Sequence, residues 1–233
     1  MLDQAFETLK KFDFGTPLSE VAAIEDAVVA AHKDPAICKD VEQRLIAALG
    51  TAGLSRDAKD YVCRKLAMCG SAAAVPAVAA LLSSEENAHL ARHALERIPG
   101  NEASQALVAA LPKVTGKLKL GAIASLGARR EAAAIPALTA LLTDTDGAVV
   151  RAATLALGVI GGSAAVAALR STLTAAKGNS SLLVDSLLSC AETMLASNQV
   201  GDAMAIYQSL NAESQHRIVR LAATRGLLAC ASK

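Results

Sequence analysis

The 233-residue chain has no tryptophan, two tyrosines and three phenylalanines, so aromatic residues make up only 2% of it. That scarcity, with few β-branched runs, argues against a sheet protein. It also removes the rings on which single-stranded nucleic acid stacks. An excess of one charge is missing too: 23 Lys and Arg meet 22 Asp and Glu, a net +1. Such a balance gives no global attraction to nucleic acid or to an anionic membrane. No apolar run reaches the roughly 18 residues a membrane span needs. The longest candidates, near 72–82 and 152–161, are shorter, and the first contains Pro76. Residues 1–11 carry Asp3, Glu7, Lys10 and Lys11 where a secretory leader would have an apolar core and cleavage site. A cytoplasmic location is therefore expected, unless the chain is a segment of a larger exported protein. Nucleophile and phosphate motifs are lacking: there is no G-x-S-x-G, no phosphate loop and no G-x-G-x-x-G after a strand. No catalytic residue, metal or cofactor is assigned, and an enzyme is not expected. The five cysteines form no C-x-x-C pair. Cys63 and Cys69, six apart in one expected helix, fall on different faces, so a bridge between them is not expected. The expected role is that of small buried hydrophobes in a reducing compartment.

Alanine and internal repetition are what the chain has in quantity. Hydrophobic residues make up 53%, and alanine, the best helix former, dominates them. Ala-Ala-Ala-Val-Pro at 72–76 returns as Ala-Ala-Ala-Ile-Pro at 132–136, each followed by an apolar stretch ending in Leu-Leu. Halfway between, Glu102 to Leu111 is a weaker copy. A period of about thirty residues signals a stacked helical array, in which each unit packs on its neighbours. Apolar positions recur at three and four, broken at short intervals by turn signals. They predict fourteen helices in seven antiparallel pairs, near 2–12, 18–32, 35–49, 55–69, 72–82, 85–98, 102–112, 117–128, 132–142, 147–161, 163–175, 179–196, 200–210 and 213–230. Ser19, Ser55, Ser84, Asp146 and Ser163 are placed to cap helix starts. Pro76 and Pro136 fall a few residues inside first helices, where a lost donor costs little and a slight bend can follow. In the second helices Leu66, Leu95, Leu126 and Leu157 repeat at spacings of 29, 31 and 31. These leucines are the expected knobs between units, and the Gly or Pro after them ends the helix.

The pattern resembles HEAT repeats, in the short form first described in bacterial phycobilisome lyases. The best match is Asp146-Gly147-Ala148-Val149-Val150-Arg151 followed by Ala156-Leu157-Gly158-Val159-Ile160-Gly161, and Val219-Arg220-Leu221 keeps the arginine half near the end. His89 and Leu120 stand where Arg151 aligns in the middle units. The resemblance implies an all-α, right-handed α-α superhelix of about seven helix pairs, with polar ladders between units. The whole of 1–233 is read as one domain: cap-like pairs at 1–50, regular repeats at 51–175, divergent pairs at 176–233. Phe12 and Phe14 flank a turn and are expected to seal the first apolar face. Residues 177–181, Lys-Gly-Asn-Ser-Ser, are the most linker-like stretch.

In such an array the second helices line the concave side, and basic residues concentrate there: Arg64, Lys65, Arg92, Arg97, Arg129, Arg130 and Arg151. Arg92, His93 and Arg97 avoid the stripe of Ala91, Ala94, Leu95 and Ile98, so they face out. The expectation is a mildly positive groove of Arg64, Arg92, His93, Arg97, Asn101, Arg129 and Arg130. It would grip acidic or polar groups of another protein, or of another domain of a larger parent chain, and neither nucleic acid nor membrane is expected as a partner. His89 and His93, four apart, have metal-ligand spacing. The iron-binding HEAT-like hydroxylases place Glu after His, though, and here no His is followed by Glu. The alternatives are a bilin lyase or isomerase, a metal-dependent HEAT-like enzyme and a nucleic-acid-binding HEAT-like protein. Cys63, between basic neighbours and the repeated Leu66, is expected to be buried rather than reactive.

Overall fold

The computed structural model describes residues 1–176, 180–213 and 215–233. Lys177, Gly178 and Asn179 of the linker-like stretch, and the start of the helix expected from 179, lie outside them. The described residues form fourteen α-helices and no strand: α1 Leu2–Leu9, α2 Ala22–Ala31, α3 Pro35–Leu49, α4 Arg56–Cys69, α5 Val75–Ala79, α6 Ala88–Arg97, α7 Asn101–Ala110, α8 Gly116–Arg129, α9 Ile135–Ala140, α10 Gly147–Ile160, α11 Gly162–Ala175, α12 Ser181–Ala196, α13 Val200–Leu210 and α14 Arg217–Ala231. None of them is long and apolar enough to cross a membrane.

The residues group into two compact units, Met1–Ser125 and Leu126–Lys233. Within the first, α1, α3, α5 and α7 pack in series, and α2, α4 and α6 form a second series against them. Within the second, α9 packs on α11, and α10, α12 and α14 follow one another. Each unit is thus a two-layer stack of helix pairs, the solenoid arrangement that the repeat predicts.

The repeated leucines lie in the interior of both units. Leu66, Leu95, Leu126 and Leu157 are all fully buried. Leu187 of α12, thirty residues after Leu157, is buried as well, so the register runs one step further than the sequence pattern indicates. The proline-containing helices are more broken than expected. Short 3-10 turns at Ala72–Ala74 and Ala132–Ala134 lead into α5 and α9, which carry their prolines at the first or second position. Further 3-10 turns, Ala80–Ser83 and Leu141–Thr143, close them.

Among the predicted caps, Ser55 accepts from Ala58 N and Asp146 from Ala148 N. Ser84 accepts from Asn87 N in the turn before α6. Ser19 lies in a 3-10 turn and Ser163 within α11, and neither caps its helix. At the N-terminal end Phe12 is buried against Tyr61, with ring centroids 5.7 Å apart. Phe14 does not help to seal that face: it is 95% exposed, because the loop after α1 turns its ring outward. At the other end α14 presents Ile218, Leu221 and Leu228 to solvent, so its outer face is more apolar than a capping helix needs.

Candidate functional site

Helix α4 starts at the Ser55 cap and buries Tyr61, Val62, Cys63, Leu66 and Cys69. That stripe leaves Asp60 and Arg64 towards solvent. Helix α6 buries Ala88, Leu90, Ala91, Ala94 and Leu95, which turns His89, Arg92, His93 and Glu96 the other way. Because α4 packs on α6, the two polar faces meet in a cleft of about 340 Å³, where Asp60 and Arg64 line one side and His89, Arg92, His93 and Glu96 the other.

The polar groups are partly tied. Arg64 Nε donates to Asp60 Oδ2 at 2.8 Å, a pair one helical turn apart. Arg56 Nη2 lies 3.3 Å from His89 Nε2. Ser125 Oγ of α8 donates to Glu96 Oε1 at 2.6 Å. The Arg92 guanidinium lies over Gly121 of α8, where a Cβ would sit 2.6 Å from its Cζ. Arg92 Nε is buried with no hydrogen-bond partner. The cleft therefore holds guanidinium donors, two imidazoles and two carboxylates. Its charge is mixed rather than simply positive.

Three of the seven expected contact residues, Arg64, Arg92 and His93, come together here. Arg97, the last residue of α6, and Asn101, the first of α7, are exposed and do not line the cleft. In the second unit Arg129 is not an open contact. Its side chain is 4% exposed and pairs with Glu131, two residues on, because the turn at Arg130 (φ 54°) brings the two together. Arg130 is exposed and lines a different cleft of about 260 Å³, with Gly161, Gly162 and Ser163. Lys65, counted among the basic residues of the second helices, is buried. It donates to Glu25 and lies 5.0 Å from the Tyr61 ring. Asp60 is the cleft residue that composition hid, although its four-residue spacing from Arg64 is a legible ion-pair signal.

Three of the five thiols, Cys63, Cys69 and Cys190, are unsuited to nucleophilic work. Burial, with Asp60 adding to it, pushes the Cys63 thiol up to about 12. Burial likewise holds Cys69 at about 11 and Cys190 at about 12. The basic neighbours of Cys63 do not offset its desolvation. All five cysteines are unpaired thiols. Among the described residues no group of three or more His, Cys, Asp and Glu side chains gathers to hold a metal ion.

Comparison with known proteins adds one family. The model of HEAT repeats matches residues 104–180, a stretch running from within α7 to the edge of α12. The match falls on paired helices and covers about a third of the chain, and over that stretch the chain is similar to HEAT repeats. No curated protein matches the sequence. Among solved structures, an engineered protein shares 20% identity over 97% of this chain and 68% of its own, with a TM-score of 0.43. A designed armadillo repeat protein shares 17% over 99% and 100%, with a TM-score of 0.39. Human deoxyhypusine hydroxylase in complex with glycerol shares 16% over 100% and 96%, with a TM-score of 0.36. Likeness at this level says nothing of activity.

Proposed function

We propose that the chain is a non-catalytic scaffold that holds a protein partner on its second helices, with the α4–α6 cleft as the contact. The partner is another protein or another domain of a longer parent chain, and it presents carboxylate or neutral polar groups. The observation that carries this reading is the Arg92 guanidinium, set over Gly121 beside Arg64 and His93. Donors whose backbones are held by packed helices lose less freedom when a ligand arrives than donors on a loop would, so such a surface binds with a reduced ordering cost. Arginine is suited to the task because its planar fork matches a carboxylate. Asp60 and Glu96 restrict the fit, since a partner must keep its own carboxylates away from them. With three thiols held in the neutral form by burial, covalent chemistry has no ready nucleophile among the cysteines.

The test is a pull-down with the chain and with the triple variant Arg64→Ala, Arg92→Ala, His93→Ala, both checked by melting. The variant is expected to keep its helical content and lose the recovered partner. Unchanged recovery by a folded triple variant overturns the reading.

A further inference from the structure

Next to the α4–α6 cleft, and sharing Asp60 and Arg64 with it, a second cavity of about 420 Å³ opens between α4 and the loop that follows α1. We propose that this cavity receives an arginine side chain of a partner protein. The site goes beyond the function proposed above and asks for a ligand group of opposite charge.

Its walls are aromatic and acidic together. The tilted pair of Phe12 and Tyr61, both buried, lies on the inner side. Phe14, 95% exposed, and Leu18, 66% exposed, lie at the mouth. A phenylalanine that shows nearly its whole ring to water beside a cavity has apolar surface to offer a ligand. The loop holds it there: Asp13 Oδ1 accepts from Phe14 N at 2.8 Å, and Asp13 N donates to Thr16 Oγ1 at 3.2 Å.

Four carboxylates line the cavity, from Asp13, Glu25, Asp57 and Asp60, against two cations, Arg64 and Lys65. Both cations are engaged within the wall, Lys65 with Glu25 and Arg64 with Asp60. Asp57 forms a longer ion pair with Arg56 Nη1, at 3.8 Å, from the rim of the cavity. With Arg56 counted beside the lining cations, the wall carries four carboxylates against three cations, an excess of one negative charge beside an open aromatic ring.

The cavity already handles one cation in this way: the Lys65 ammonium lies over Tyr61 while bonded to Glu25. A second cation at Phe14, with Asp13 and Asp57 near, repeats that chemistry with groups from outside. Arginine fits because its guanidinium stacks on a ring face and forks to a carboxylate, while its methylene stem lies along apolar surface such as Leu18. An anionic group would meet like charge, and a purely apolar one would bury carboxylates without partners.

The experiment titrates the full chain with a short neutral-capped peptide bearing one central arginine, and with the same peptide bearing citrulline, which keeps the shape and removes the charge. Backbone amide shifts report the site. The arginine peptide is expected to move residues 12–18 and 57–65 saturably and to bind at least about tenfold more tightly than the citrulline peptide. Phe14→Ala and Asp57→Asn are each expected to weaken it severalfold in a folded chain, since Phe14 is exposed and asparagine keeps the shape of the half-buried Asp57 side chain. No saturable shift in those residues, equal binding of the two peptides, or indifference to Phe14→Ala in a folded variant overturns the proposal.

Discussion

In the first unit, neighbouring repeats are stitched by side chains. Glu42 accepts from Ser71 N at 2.5 Å and from Ser71 Oγ at 3.0 Å, across 29 residues, and Glu96 accepts from Ser125, again across 29. Arg92 reaches over Gly121 at the same offset. In the second unit, the seam brings main chains together. A Cβ on Gly127 would sit 3.1 Å from Ala156 Cα, and one on Gly158 would sit 3.0 Å from Ser186 Cα. The second pattern closes over its polar groups, leaving the Ser186 hydroxyl buried at the Gly158 contact, whereas the first keeps them along the seam, partly tied and partly open. Open, oriented polar groups are what a binding surface needs, so the unit with the less close seam is the one that carries the α4–α6 cleft.

The largest expected effect tests whether the two units nonetheless share one core device. Leu95→Ala in the first and Leu157→Ala in the second each remove a fully buried knob, and each is expected to cost about 2–5 kcal/mol through the cavity left behind. Chemical denaturation of the two variants measures it. A cost well under that range at one site would mean that its unit does not depend on the leucine ladder.

A smaller effect separates the seams. Gly158→Ala gains about 1 kcal/mol of helix propensity, but its methyl meets the Ser186 backbone and Cβ at 3.0–3.1 Å. Relief requires a helix to move, and overpacking of this kind costs about 1–3 kcal/mol. The net expectation is a loss of up to about 2 kcal/mol by the same assay. A gain in stability would show that the glycine seam has slack.

Much of the fold is legible in the sequence because the leucine spacing is set by contacts that every unit must make. The repeats blur after 175 in the sequence, although Ser186-Leu187 still meets Gly158 in register; its neighbours have diverged and the buried pair alone carries the signal. The cleft was half legible. Helical periodicity turns Arg64, Arg92 and His93 outward together, since their faces follow from which alanines and leucines are buried. Arg129 was not legible, because its partner Glu131 is reached only through a left-handed residue at Arg130. Phe14 was not legible either. The hydrogen bonds of Asp13 and Thr16 decide its exposure, and periodicity does not extend into a loop.

The smallest stability effect is the most informative about the site. Gly121→Ala places a methyl 2.6 Å from Arg92 Cζ, yet the obstacle is the far end of a flexible side chain in a half-exposed place. The guanidinium can swing aside, and the alanine gains about 1 kcal/mol of helix propensity, so the melting temperature is expected to stay level or rise slightly. Partner recovery is expected to fall nearly as far as it does for Arg92→Ala, because the donor has left its position although its charge remains. The same glycine-to-alanine change would then cost stability at Gly158 and binding at Gly121. If Gly121→Ala kept full partner recovery while Arg92→Ala lost it, the charge of Arg92 would matter and its setting over the glycine would not.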